Sequence, residues 1–87
     1  MIPIKPNPAL FLLPDEYEVV TYAKHQTDKY LPLSSIRTPD GRVASQWSPD
    51  ANERILIANG APITLVLHTF RLPLQPIQIM VGGADLR

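Results

Sequence analysis

Along this chain, short runs rich in apolar residues are separated by turn-forming residues, and the first fourteen positions follow a different rule. Tyr17–Ala23 (YEVVTYA) is dense in β-branched and aromatic side chains and predicts a strand. Lys24–Lys29 is polar and reads as a loop, and Tyr30–Arg37 follows as a second strand. Pro32 has no N–H to give to a ladder, so that strand belongs at an edge or a bulge. Thr38-Pro39-Asp40-Gly41 predicts a tight reversal, because proline presets φ and Asp-Gly favours the turn. Arg42–Trp47 then returns as the second arm of a hairpin. Alternation places Val43, Ser45 and Trp47 on one face and Arg42, Ala44 and Gln46 on the other.

One helix is expected, at about residues 49–58. Ser48 reads as its N-cap and Pro49 as its first position, with Asp50 and Glu53 at the positive end of the helix dipole. Ile55, Leu56 and Ile57 supply an apolar face, and Asn59-Gly60 a stop. From Pro62 to Phe70 both faces are largely apolar, which predicts a central strand. Leu72–Pro76 is a short connection, Ile77–Val81 a returning strand, and Gly82-Gly83 the end of regular structure. The folded heart is therefore expected between Arg42 and Val81.

The opening residues, MIPIKPNPALFLLP, cannot form a regular helix past Pro3, Pro6 and Pro8, and they favour an extended course. Ile2, Ile4 and the run Leu10–Leu13 are too apolar for a solvated tail, so the arm is expected to lie on a surface, preferably that of a neighbouring subunit. The organisation predicted is an arm over 1–14, one domain over 15–83 and a short tail over 84–87. The fold class is α+β, with four or five mainly antiparallel strands and one short helix.

Composition narrows the function. With 87 residues there is room for one domain, and one of this size buries only roughly 60% of its unfolded surface. There is no cysteine, hence no disulfide or thiolate site, and a reducing, cytoplasmic setting is expected. Eight basic and eight acidic side chains cancel, a poor footprint for general nucleic-acid or anionic-membrane binding. No apolar run approaches a membrane span, and the N-terminus lacks the pattern of a signal peptide.

Five residues are candidates for a ligand pocket: Arg37, Arg42, Trp47, His68 and Arg71. Arg37 and Arg42 flank the predicted turn, where two guanidinium groups suit phosphate or carboxylate, although solvated turn charges explain them more simply. Trp47 offers a stacking platform for a base, but tryptophan at a strand–helix junction is more often a core residue. His68, with Arg71 nearby, sits in an apolar strand, where a structural hydrogen bond is the commoner role. His25 is the one other histidine, and neither has metal-ligand spacing around it, so no metal or cofactor is expected. The serines lack a nucleophile motif and the carboxylates fall at turns and helix ends, so no enzyme is expected.

The run GRVASQWSPDANERILIANGAPITLVLHTFRLPLQPIQIMVG, residues 41–82, resembles small accessory proteins of tailed bacteriophages and prophages. It shares their strand ending in tryptophan (Trp47), capped helix with an early glutamate (Glu53), glycine stop (Gly60-Ala61), apolar strand and proline-bearing turn (Gln75-Pro76). The paired proline usual at that last turn is missing. The resemblance implies a counter-defence protein in the host cytoplasm. Such a protein, a small homo-oligomer, would sequester a nucleotide signal of host immunity or inhibit a host defence protein. The alternative is a virion structural or assembly protein that docks through its N-terminal arm.

Overall fold

The computed structural model describes residues 1–22 and 32–87; the polar loop expected over 24–29, with His25, lies outside the described residues. The fold is α+β, and the described residues form two small antiparallel sheets, one α-helix and a 3-10 turn at Pro8–Leu10. The first sheet pairs β1 (Ile2–Ile4) with β5 (Gln46–Ser48), setting Pro3 opposite Trp47. The second has the order β2 (Glu18–Tyr22), β3 (Leu33–Arg37), β4 (Val43–Ala44). The expected hairpin is thus present and shorter than anticipated. Ser45 interrupts the return, so that Val43–Ala44 serves one sheet and Gln46–Ser48 the other.

The helix α1 spans Ala51–Ala58, and its N-cap is Asp50 rather than Ser48. Ser48 is already committed to β5, opposite Ile2. Asp50 Oδ1 accepts from the Glu53 N–H at 2.8 Å, and Glu53 Oε1 accepts from the Asp50 N–H at 2.9 Å. These reciprocal bonds form a capping box. Gly60, at φ +89°, follows the helix in the left-handed region that glycine favours.

The packed centre is not where the apolar pattern put it. Pro6, Ser35, Ile36, Thr38 and Leu86 are the buried residues among those described, and all lie outside Arg42–Val81. Ile36 is fully enclosed in the middle strand, because β2 and β4 flank it and β1 packs against its strand. The proline-rich arm pairs within its own chain: β1 joins β5, and the Asn7 N–H donates to Gln46 Oε1 at 2.8 Å. The residues expected as a polar tail also dock. The Leu12 N–H donates to the Ala84 carbonyl at 3.0 Å and the Leu86 N–H to the Leu12 carbonyl at 2.7 Å, which brings Leu86 into the core.

The strands expected at Pro62–Phe70 and Ile77–Val81 do not form a ladder. Between residues 62 and 81 the one backbone–backbone hydrogen bond among the described residues is Leu72 N–H to Thr69 carbonyl, 2.9 Å. Phe70 and Arg71 have φ of +51° and +67°, the sign pattern of a type I′ hairpin turn. In a hairpin closed by this turn, the inward-bonding positions of the returning leg would be 72, 74 and 76. Pro76 has no N–H to contribute at the last of these, and the nearer rung, 67 with 74, is not made among the described residues.

Candidate functional site

The turn after β3 gathers the densest polar contacts. Pro39-Asp40-Gly41 reverses the chain, with Gly41 at φ +91°, and the Thr38 N–H closes it on the Arg42 carbonyl at 3.0 Å. This brings the Thr38 hydroxyl to the Asp40 carboxylate, to which it donates. Arg42 reaches the same carboxylate, with Nη2 at 2.9 Å from Oδ2, and also donates to the Leu86 carbonyl at 2.7 Å. The Thr38 hydroxyl, then the Arg42 guanidinium, lower the Asp40 pKa to about 2. The shallow hollow beside this cluster, about 180 Å³, is lined by Pro14, Thr38, Pro39, Asp40, Arg42, Leu86 and Arg87. Arg42 acts here as a clasp that ties the C-terminal residues to the turn.

A second hollow, about 270 Å³, lies where β1 meets the start of α1, between Met1, Ser48 and Arg54. The Met1 amino group contacts both Glu53 oxygens, at 2.5 and 2.6 Å. The Asp50 N–H, then this ammonium group, hold the Glu53 pKa below the usual carboxylate range. Both hollows fall short of the roughly 300 Å³ at which small-molecule pockets usually begin. Among the charges lining them, Glu53 pairs with the N-terminus, Asp40 with Arg42, and Arg87 with Asp85, while Arg54 Nε donates to the Pro49 carbonyl at 3.2 Å.

The five residues expected to line a pocket fall in different settings. Arg37, opposite Val43 across the hairpin, gives its charge to Glu18 at 3.0 Å, a contact that raises its pKa. Arg42 is the clasp just described. Trp47 is half-exposed on β5, against the core position preferred for it, and its indole N–H donates to Ser45 Oγ at 3.0 Å. The alternation along 42–47 holds, and the face that Trp47 shares with Val43 and Ser45 is the outer one. His68 and Arg71 are exposed on the 61–81 segment, Arg71 at its tip. Of the five, neither hollow contains any but Arg42.

The largest continuous feature is apolar. After Gly60 the chain runs out to the Phe70–Arg71 turn and back, with Val66 73%, Phe70 79% and Val81 95% exposed. Ile63, Leu65, Leu67, Leu72, Leu74, Ile77, Ile79 and Met80 are exposed as well. Ile55, Leu56 and Ile57 leave the apolar face of α1 open beside the start of this run, and no residue of the helix is buried. The signal was present in the sequence as a segment apolar on both faces. That pattern predicts burial within the chain's own sheet, whereas the structure leaves the segment exposed. No helix among the described residues is long and apolar enough to cross a membrane. In comparisons with known proteins, the chain matches no family model, no curated protein and no solved structure.

Proposed function

We propose that this protein works as a structural or assembly subunit, exerting its role by apolar protein–protein contact rather than by catalysis. The observation that carries this reading is the surface. The chain exposes 7289 Å², whereas a compact monomer of its mass exposes about 5,100 Å². Large apolar side chains lie exposed in succession along 61–81 and on the neighbouring helix, and contiguous apolar exposure of this kind marks an interaction surface. The contact surface is then this segment with α1, in place of the N-terminal arm first expected to dock. The phage-type assembly role implied by residues 41–82 is compatible with such a subunit. It takes precedence over nucleotide sequestration because Arg37 and Arg42 are both engaged by carboxylates of their own chain.

A photoreactive amino acid at position 70, at the exposed tip, tests the reading in the cells that make the protein. Crosslinks from position 70 to protein, with none from a control at Glu16, are the expected result. Absence of protein crosslinks, together with calorimetric heat on titration with cyclic dinucleotides or ADP-ribose, overturns it in favour of sequestration.

A further inference from the structure

We propose, independently of the assembly reading, that the Arg71–Leu72 peptide bond is a processing site for an arginine-selective endopeptidase, and that the cut releases residues 72–87 from the core.

Side-chain and backbone chemistry together select the position. An endopeptidase with a carboxylate in its primary specificity pocket takes a guanidinium there. Of the five arginines, Arg37, Arg42, Arg54 and Arg71 are followed by a peptide bond. Such an enzyme pairs with its substrate as with an added strand, so the backbone around the arginine has to straighten. Arg37 closes β3, the middle strand of its sheet, and Thr38 after it is buried. The Arg42 carbonyl accepts from the Thr38 N–H at 3.0 Å, and Arg42 leads directly into β4. Arg54 lies within α1, where its N–H donates to the Asp50 carbonyl at 2.9 Å.

The backbone at Arg71 is under no comparable restraint. Arg71 is exposed at the tip of the 61–81 segment, between Phe70 and Leu72, which are 79% and 70% exposed. Straightening the tip breaks one backbone hydrogen bond among the described residues, Leu72 N–H to the Thr69 carbonyl. It also relieves strain. Phe70 and Arg71, at φ +51° and +67°, leave the left-handed region that is unfavourable for residues with a Cβ. No carboxylate of the segment competes for the guanidinium, because Arg71 is the sole Lys, Arg, Asp or Glu in 61–81.

The reaction is hydrolysis. Water adds across the amide, the C–N bond breaks, and Arg71 keeps a carboxylate while the Leu72 nitrogen takes up the proton as a new ammonium group. The consequence follows from how the last residues are held. Leu12 and Ala84, Leu86 and Leu12, Arg42 and Leu86, and Gln46 and Gly82 make the hydrogen bonds that join residues 82–87 to the rest of the described chain. Within 72–87 the one buried residue is Leu86. Through the intact chain this tail docks at an effective concentration of about millimolar. A separate peptide has to offset its whole loss of translational and rotational freedom, and so small a contact does not do so in dilute solution.

Digestion of the intact chain with an arginine-specific endopeptidase in native buffer, read by intact mass and size exclusion, tests both parts. The pieces 1–71 and 72–87 should appear before any cut after Arg37, Arg42 or Arg54. Arg71→Gln should leave the chain whole over the time in which the wild type is consumed. The 72–87 piece should elute apart from 1–71, whose Leu12 amide should exchange faster than in the intact chain. A first cut after Arg37, Arg42 or Arg54, or a wild-type chain no more sensitive than Arg71→Gln, overturns the site. Co-elution of the two pieces, with Leu12 exchange unchanged, overturns the release.

Discussion

Ser35 and Ile36 are adjacent, fully enclosed, and opposite in what they contribute. The Ile36 side chain is the largest among the described residues to lose all contact with solvent, whereas the buried Ser35 hydroxyl has no hydrogen-bond partner among them. A buried hydroxyl left unpaired costs about 1–3 kcal/mol, so Ser35→Ala should raise stability by about 1 kcal/mol. Ile36→Ala should lower it by about 2–5 kcal/mol through lost transfer energy and a cavity. Urea unfolding followed by Trp47 fluorescence checks both. Asp40 makes the fold sensitive to acid. Its folded-state pKa, about 2, lies below the ordinary value of 3.8. Its contribution is therefore fully present above about pH 4 and lost as the pH falls toward 2. Glu53 and Asp85 shift in the same direction, Asp85 through Arg87. The urea midpoint should fall between pH 5 and pH 2, and Asp40→Asn should shrink that fall; an equal fall in the variant would show that the Thr38–Asp40–Arg42 cluster is energetically idle.

Elements that depend on local chemistry were legible in the sequence. The turn at Pro39–Gly41, the strand within Tyr17–Ala23 and the helix ended by Gly60 all form, since neighbouring residues alone determine them. Elements that depend on which partner lies alongside were not. Residues 62–70 have the composition of a central strand but find no ladder among the described residues, while the proline-rich arm finds one in β5. The same limit applies to the site: the Arg42–Asp40 pair follows from a turn the sequence shows, but the Arg37–Glu18 pair needs β2 alongside β3, and the docking of residues 84–87 leaves no trace in periodicity. That docking makes a sharp prediction about two adjacent glycines. A Cβ on Gly83 would lie 1.5 Å from the Leu10 carbonyl oxygen, whereas one on Gly82, at φ +81°, meets open space. Gly83→Ala should cost about 1–3 kcal/mol or more by forcing the tail off Leu10. Gly82→Ala carries only the strain of a left-handed alanine, about 1 kcal/mol. Faster amide exchange at Leu12 and Leu86 in the Gly83 variant, with both little changed in the Gly82 variant, would confirm the tail contact; equal effects would refute it.

For the whole molecule, a small and well-connected centre carries a large unsatisfied surface. Two short sheets meet at β1 and β3, and the C-terminal residues lock onto them. The helix α1 and the 61–81 segment leave their apolar residues uncovered. A domain this small has little core to spare, so association is the direct way to stabilise such a chain, and it is also the activity the surface supports. Light scattering on the intact chain over a hundredfold dilution is the most direct test of this account. The account predicts a mass above 9.7 kDa that falls on dilution as exposed apolar surface, read by a hydrophobic dye, increases. A constant 9.7 kDa species that binds no dye at any concentration would contradict it.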